Sequence, residues 1–336
     1  MNWPERFFEP STAFDVPMVG WTLGVLVGAL AIASVLVRVL HRQRKLSDAT
    51  FRELLARIRT WWILIPVLVG PILLGSAPVV VLFTVLGIAC FREYARATGL
   101  FRELVLVATV TLGILGLGFA ALDNWYGFFV ALTPLVTALI AVVALVGDRP
   151  QGFVQRVALA GFGFALFGTA LGHLSFLAND QIYRNVLLWM LVCVEANDIF
   201  AYLCGRLFGR RHFAPNTSPN KTLGGALGAL VLTTALAMAL GTLAFEGTEV
   251  DTWPHLLTLG LLIGILGQCG DLVLSSIKRD LGIKDMASTL PGHGGLLDRF
   301  DSLLLVAPAV FHYVGYVLPE GIGLDLPVRV LSGGGG

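Results

Sequence analysis

The chain has 336 residues, 56% of them hydrophobic and only 13% charged, with a formal net charge of +1. So few charges cannot coat a soluble globule of this size, which excludes an ordinary water-soluble domain. Uncharged runs of about 20 residues, the length that crosses a bilayer, recur along nearly the whole chain and predict an all-α, polytopic integral membrane bundle of about ten transmembrane helices.

Residues 1–17 carry acids and aromatics where a cleavable signal has a basic start and a short apolar run, so the first apolar run is kept as a true span. Apolar runs between charged or Gly/Pro-marked breaks place spans near 18–40, 61–75, 78–91, 104–122, 127–147, 157–178, 186–205, 223–245, 255–275 and 302–318. After the first span, His41 to Arg59 mixes Arg42, Arg44, Lys45, Arg52, Arg57 and Arg59 with Phe51, Leu54, Leu55 and Ile58, which suits an amphipathic helix lying on an anionic leaflet. Phe91-Arg92-Glu93-Tyr94 reads as an ordinary interfacial end of a span. Cys90, Cys193, Cys204 and Cys269 lie in or at the ends of apolar runs, with no Cys-x-x-Cys pair and no His at zinc spacing, and read as buried thiols. The chain divides into an N-terminal span with a basic surface helix (1–60), a transmembrane bundle (61–185), a catalytic transmembrane region (186–320) and a flexible tail (321–336).

Of the 23 Lys and Arg, all but Arg6, Arg184 and Arg329 fall in the alternate loops 38–59, 91–103, 148–156, 206–221 and 276–301. The positive-inside rule puts those loops in the cytoplasm of a bacterial-type inner membrane and both termini on the far side.

Ionisable residues are almost absent from the first six spans but crowd the cytoplasmic helix ends from Glu195 onward, and intramembrane acids are functional by default. Glu195, Asn197 and Asp198 precede Arg206, Arg210 and Arg211, with which the acids could simply pair. Thr217-Ser218-Pro219-Asn220-Lys221-Thr222 then leads into a span whose N-terminus offers N–H donors to phosphate. A capping Ser with an interfacial Lys explains that segment as well. The densest stretch, 271–301, holds five acids, four bases and a His. Asp271, Ser275 and Lys278 share one helix face by their spacing, and Asp298 and Asp301 open the last span. Gly292, Gly294 and Gly295 permit close backbone approach to a ligand. These residues suit a site where Asp271 and Asp298 hold metal while Lys278, Arg279 and Arg299 balance triphosphate charge, the usual setting for magnesium; the alternative is a salt-bridged cytoplasmic loop with Asp298 as a helix cap. His293 could serve as acid or base, bind a phosphate oxygen, or order the turn.

The run Ser276-Ile277-Lys278-Arg279, Lys284-Asp285 and Pro291 to Asp301, with Asn197-Asp198, Ala201-Tyr202, Gly205-Arg206 and Ser218 to Thr222 upstream, resembles the signature of phosphatidate cytidylyltransferases. The resemblance covers roughly 195–305 and implies a magnesium-dependent transferase of phospholipid biosynthesis that moves CMP from CTP to phosphatidate. It implies that Asp271 and Asp298 bind metal and that Lys278 and Arg279 hold phosphates. Ser218 and Lys221 would help bind nucleotide or lipid phosphate, with Asp198 and Asp301 in support. It also admits a homodimer through membrane helices, and no nucleic-acid partner is expected. One departure is Gly224, which stands where such enzymes usually have Glu. The alternatives are a CTP-dependent lipid kinase, a cytidylyltransferase for another lipid, a weakly active paralogue, or, more distantly, an anion transporter.

Overall fold

The computed structural model describes residues 7–290, 294–319, 321–323 and 329–333. Among these there is no strand, only two isolated bridges, His212 with Thr222 and Leu290 with Gly294. Among the described residues nine helices are long and apolar enough to cross a membrane: α1 Pro17–Arg42, α2 Asp48–Leu74, α3 Ser76–Ala97, α4 Leu104–Leu122, α5 Tyr126–Val143, α6 Phe153–Leu177, α7 Tyr183–Phe208, α8 Leu223–Ala244 and α9 Trp253–Asp280. A shorter apolar helix, α10 Leu303–Val317, follows a single helical turn, Leu297–Phe300. The result is the expected all-helical membrane bundle, with backbone polar groups satisfied inside each helix as a bilayer requires.

The basic segment after α1 differs from expectation. Ser47 caps α2 by accepting the Thr50 N–H at 3.2 Å, and nothing then stops the helix before Leu74. Residues 48–59 are therefore the first turns of a continuous membrane helix, because charged residues do not terminate a helix whose next break is a glycine. That glycine is Gly75, at φ 144°, the one residue between α2 and α3.

The core is built on α3, α4, α6, α7 and α10, where Phe83, Phe91, Phe164, Phe167 and Trp189 are almost fully buried. Near the middle of α6, residues Phe164–Ala170 form a π-helical stretch. The two ends of the chain meet the same end of this core. Buried Arg184 at the start of α7 donates to Thr12 Oγ1 at 2.8 Å and to the carbonyls of Glu9 and Ile72 at 2.6 and 3.2 Å. The described part of the tail is not loose: Asp123, just past α4, accepts the N–H groups of Leu331 and Ser332 at 2.5 and 2.9 Å and the Ser332 hydroxyl at 2.6 Å.

Candidate active site

At the opposite end, α7 and α8 approach until backbone meets backbone. A Cβ on Gly224 would lie 2.5 Å from the Phe208 carbonyl oxygen, one on Gly225 2.7 Å from that of Ala201, and one on Gly228 2.5 Å from Cys204 Cβ. Small residues are what such a crossing needs. Gly224 is thus a packing residue, and a glutamate there would collide with the end of α7. Within the same pair of helices, buried Asn197 accepts the Thr233 hydroxyl at 3.0 Å.

The loop between them folds back on itself, with Leu223 N–H bonded to the Arg211 carbonyl at 2.8 Å. Thr222 caps α8, its hydroxyl accepting from Gly225 N–H at 3.2 Å. The cap is therefore Thr222 and not Ser218, whose N–H bonds the Ala214 carbonyl at 2.8 Å within a turn. Lys221 reaches from this cap to α9, placing Nζ 2.6 Å from Asp271 Oδ2. Ser275, one turn beyond Asp271, donates to its Oδ1 at 3.2 Å, as the spacing of four predicts.

A further turn along α9, Lys278 Nζ donates to Asp298 Oδ1 at 2.9 Å. The other Asp298 oxygen accepts the N–H groups of Met286 and Gly295 at 3.0 and 2.9 Å. Asp298 is thereby the anchor of its own loop, with a side chain only 4% exposed. Asp301 Oδ1 accepts the Ser302 N–H at 2.8 Å. Burial foremost, then the charges of Asp271 and Asp198, hold the Asp301 carboxyl well above the ordinary aspartate value.

Sequence reasoning missed the residue that seats this loop. Glu93, near the end of α3 and buried, accepts the Thr289 hydroxyl at 2.5 Å and Leu296 N–H at 3.0 Å on one oxygen, and Leu297 N–H at 2.9 Å on the other. Its lone carboxylate binds the N-terminal side of the turn that bears Asp298, a favourable place for negative charge.

Two cavities open here and share Asp198 and Tyr202. The smaller, about 220 Å³, is lined by Asn220, Lys221, Thr222, Gln268 and Asp271. The larger, about 1130 Å³, has Glu195, Lys284, Asp285, Gly294 and Arg299 on its polar side and residues of α1 and α2 on its apolar side. The structure thus brings Asp198, Lys221 and Asp271 to one cavity and Asp198, Gly294 and Arg299 to the other. Lys278, Asp298 and Asp301 lie beneath, and Ser218 lines neither cavity. Arg279 turns aside, its Nε donating to the Thr217 carbonyl at 3.2 Å, and ties the two loops together. His293 falls outside the described residues.

Fold and site define a polytopic helical membrane protein whose acids, lysines and arginines converge at one end of the bundle. Residues 55–317 match the model of the cytidylyltransferase family. The chain is 35% identical over 310 residues to the uncharacterized protein YnbB of Escherichia coli strain K12, covering 89% of this chain and 99% of that one. It is 31% identical over 248 residues to the phosphatidate cytidylyltransferase of Bacillus subtilis strain 168, covering 71% and 90%. It is 37% identical over 157 residues to that of Staphylococcus haemolyticus, covering 46% and 59%. The chain belongs to the cytidylyltransferase family and is a nucleotidyltransferase.

Proposed function

We propose that the chain transfers CMP from CTP to phosphatidate, giving CDP-diacylglycerol and pyrophosphate, at a site facing the cytoplasm of a bacterial-type inner membrane. The observation that carries this reading is the meeting of two unlike cavities at Asp198. One is small and lined by a lysine beside a helix N-terminus, suited to phosphates. The other is large, with charges on one side and apolar helix on the other, suited to an anionic lipid.

Magnesium fits the donor set. It is held through one or two carboxylates completed by phosphate oxygens and water, and the Asp271 side chain is 27% exposed. The mutual influence of Asp198, Asp271 and Asp301 marks a crowding of negative charge that a cation relieves. Among the described residues no three His, Cys, Asp or Glu side chains form a ready-made cage, so phosphate oxygens would complete the shell. Asp271 and Asp298 would hold the ion, Asp298 once Lys278 exchanges its carboxylate for a phosphate. When bound, the ion supplies charge neutralisation at the reacting phosphates.

The lipid phosphate oxygen attacks the α-phosphorus of CTP, one P–O bond forming as the bond to pyrophosphate breaks. The nucleophile is already ionised at neutral pH, so no strong base is needed. The barrier is repulsion between anions, and Lys221 and Arg299, one in each cavity, lower it where charge accumulates, joined by Lys278 once it leaves Asp298. Incubation with phosphatidate, magnesium and CTP labelled at the α-phosphate tests the reading. Label should enter the lipid phase and fall at least about a hundredfold in Asp271→Asn. Label entering lipid only from γ-labelled CTP would replace the transferase by a kinase, and no transfer to any lipid would overturn the proposal.

A further inference from the structure

The family match begins at residue 55 and leaves α1 outside it, yet α1 forms one wall of the larger cavity. The residues that line it, Leu26, Ala29, Leu30 and Ala33, recur at three- and four-residue intervals and so make a single stripe along the helix. Two of the four are alanines, which leave hollows beside the leucines. Little else of α1 is covered by protein: its buried residues are Met18, Val19, Ser34 and Val37. Opposite the stripe stand Trp61 and Ile65 of α2 and Ile199 of α7. The stripe is therefore a face of a slot between three membrane helices.

At the polar end of this slot three cations, Arg57, Lys284 and Arg299, stand among three acids, Glu195, Asp198 and Asp285. Arg57 is paired with Glu53 at 2.7 Å. Arg299 is the informative one, because its Nε is buried without a hydrogen-bond partner. A buried guanidinium donor with no protein acceptor costs free energy unless an oxygen of a ligand supplies one. An apolar slot ending at a guanidinium whose buried Nε–H has no acceptor, beside the charges of Glu195 and Asp198, leaves one donor for the phosphate of an amphiphile with acyl chains.

We propose that α1 is an acceptor-selecting element: its Leu26–Ala29–Leu30–Ala33 stripe seats an acyl chain of the lipid acceptor, whose phosphate meets Arg299. The proposal rests on the reading above that the acceptor is an anionic phospholipid. It assigns selection by chain length and bulk to a helix that lies outside the catalytic loops.

The test compares Ala33→Phe, which fills the slot, with Val25→Phe, which places the same ring on an α1 position that is 65% exposed. Each full-length variant is assayed with dioleoyl and dihexanoyl phosphatidate. For Ala33→Phe, the ratio of kcat/KM for the long-chain acceptor to that for the short-chain one should fall about tenfold or more, with the KM for CTP unchanged. Val25→Phe should leave the ratio as it was. An unchanged ratio in Ala33→Phe, or equal losses in both variants, would overturn the proposal. A second arm does not need turnover: phosphatidate bearing a photoreactive acyl chain should label residues 26–33, and excess phosphatidate but not phosphatidylcholine should compete. If the protein transfers CMP to no lipid, the functional reading fails while this arm still decides. Labelling competed by phosphatidate and lost in Ala33→Phe supports the selecting slot. Labelling competed equally by phosphatidylcholine refutes it.

Discussion

Replacing Glu93 by Ala removes a carboxylate that accepts three hydrogen bonds, two from the backbone N–H groups of Leu296 and Leu297 and one from Thr289. A hydrogen bond to a charged group contributes about 1.5–3 kcal/mol, and each buried donor left unanswered costs about 1–3 kcal/mol. Leu297 is fully buried, so its N–H cannot turn to water, whereas the Thr289 hydroxyl can find another partner. The seating of the loop should weaken by about 3–5 kcal/mol in all. Glu93 lines neither of the two cavities described, so the loss should reach catalysis through Asp298, whose bond from Gly295 N–H lies two residues before Leu297. About 3 kcal/mol of misplacement corresponds to at least a hundredfold loss of rate. Hydrogen exchange in detergent is the direct assay: peptides spanning 294–300 should lose protection in Glu93→Ala and keep part of it in Glu93→Gln, which retains one acceptor oxygen. Unaltered exchange at Leu296 and Leu297 would refute the reasoning, whatever happens to activity.

Three further outcomes are expected. Gly224→Glu should not restore a family carboxylate but should lower the thermal midpoint, since overpacking costs about 1–3 kcal/mol and here the obstacle is backbone; a stable, active variant would show that the α7–α8 seam yields. Lys278→Met leaves Asp298 charged and buried, so it should destabilise by about 3–5 kcal/mol, while the double variant Lys278→Met/Asp298→Asn recovers part of that stability without activity; a stable single variant in a urea titration would rule out the pairing. At the other end, burial acts to raise the Asp123 pKa, but the bonds from Ser332 and Leu331 and the charge of Arg329 prevail and hold its carboxyl below the usual aspartate value. A lowered folded value means that its stabilisation is present above the usual aspartate value and is lost as pH falls through the lower one. Arg329 lies over the Trp125 ring, so Trp125 fluorescence should change on acidification in the native chain and be already changed at neutral pH in Asp123→Ala; identical titrations would count against the latch.

The spans were legible because apolar length is a strong signal and little competes with it; α4 spans the expected 104–122. The surface helix was misread for a local reason. Arg57 and Arg59 look like a lipid-surface motif, yet only a backbone break, which first comes at Gly75, separates two helices. Within the site, Asp271 with Ser275 was legible from helical spacing. Lys278 with Asp298 was not, since a bond across 20 residues depends on how the loop returns. Gly224 misled because a missing carboxylate invites a chemical reading, while the cause is the distance between two helices. Glu93 was hidden by its setting, an acid at the end of an apolar span whose partners lie about 200 residues downstream. The one signal was weak: Ala89, Cys90 and Ala97 on its face are small and apolar, but Arg96 three residues on offers an ordinary ion pair.

That distance along the chain sets an order of assembly. Glu93 is synthesised and inserted long before Leu296 and Leu297 leave the ribosome. Lying within the last turns of α3, its carboxylate can wait in water at no great cost until the last loop arrives. The loop, by contrast, has two N–H donors whose acceptor is on α3 and a buried aspartate whose cationic partner, Lys278, is on α9, both helices already in place. The N-terminal half is therefore a template for the catalytic end, and a C-terminal fragment bearing the whole family signature would lack the acceptor that closes its loop.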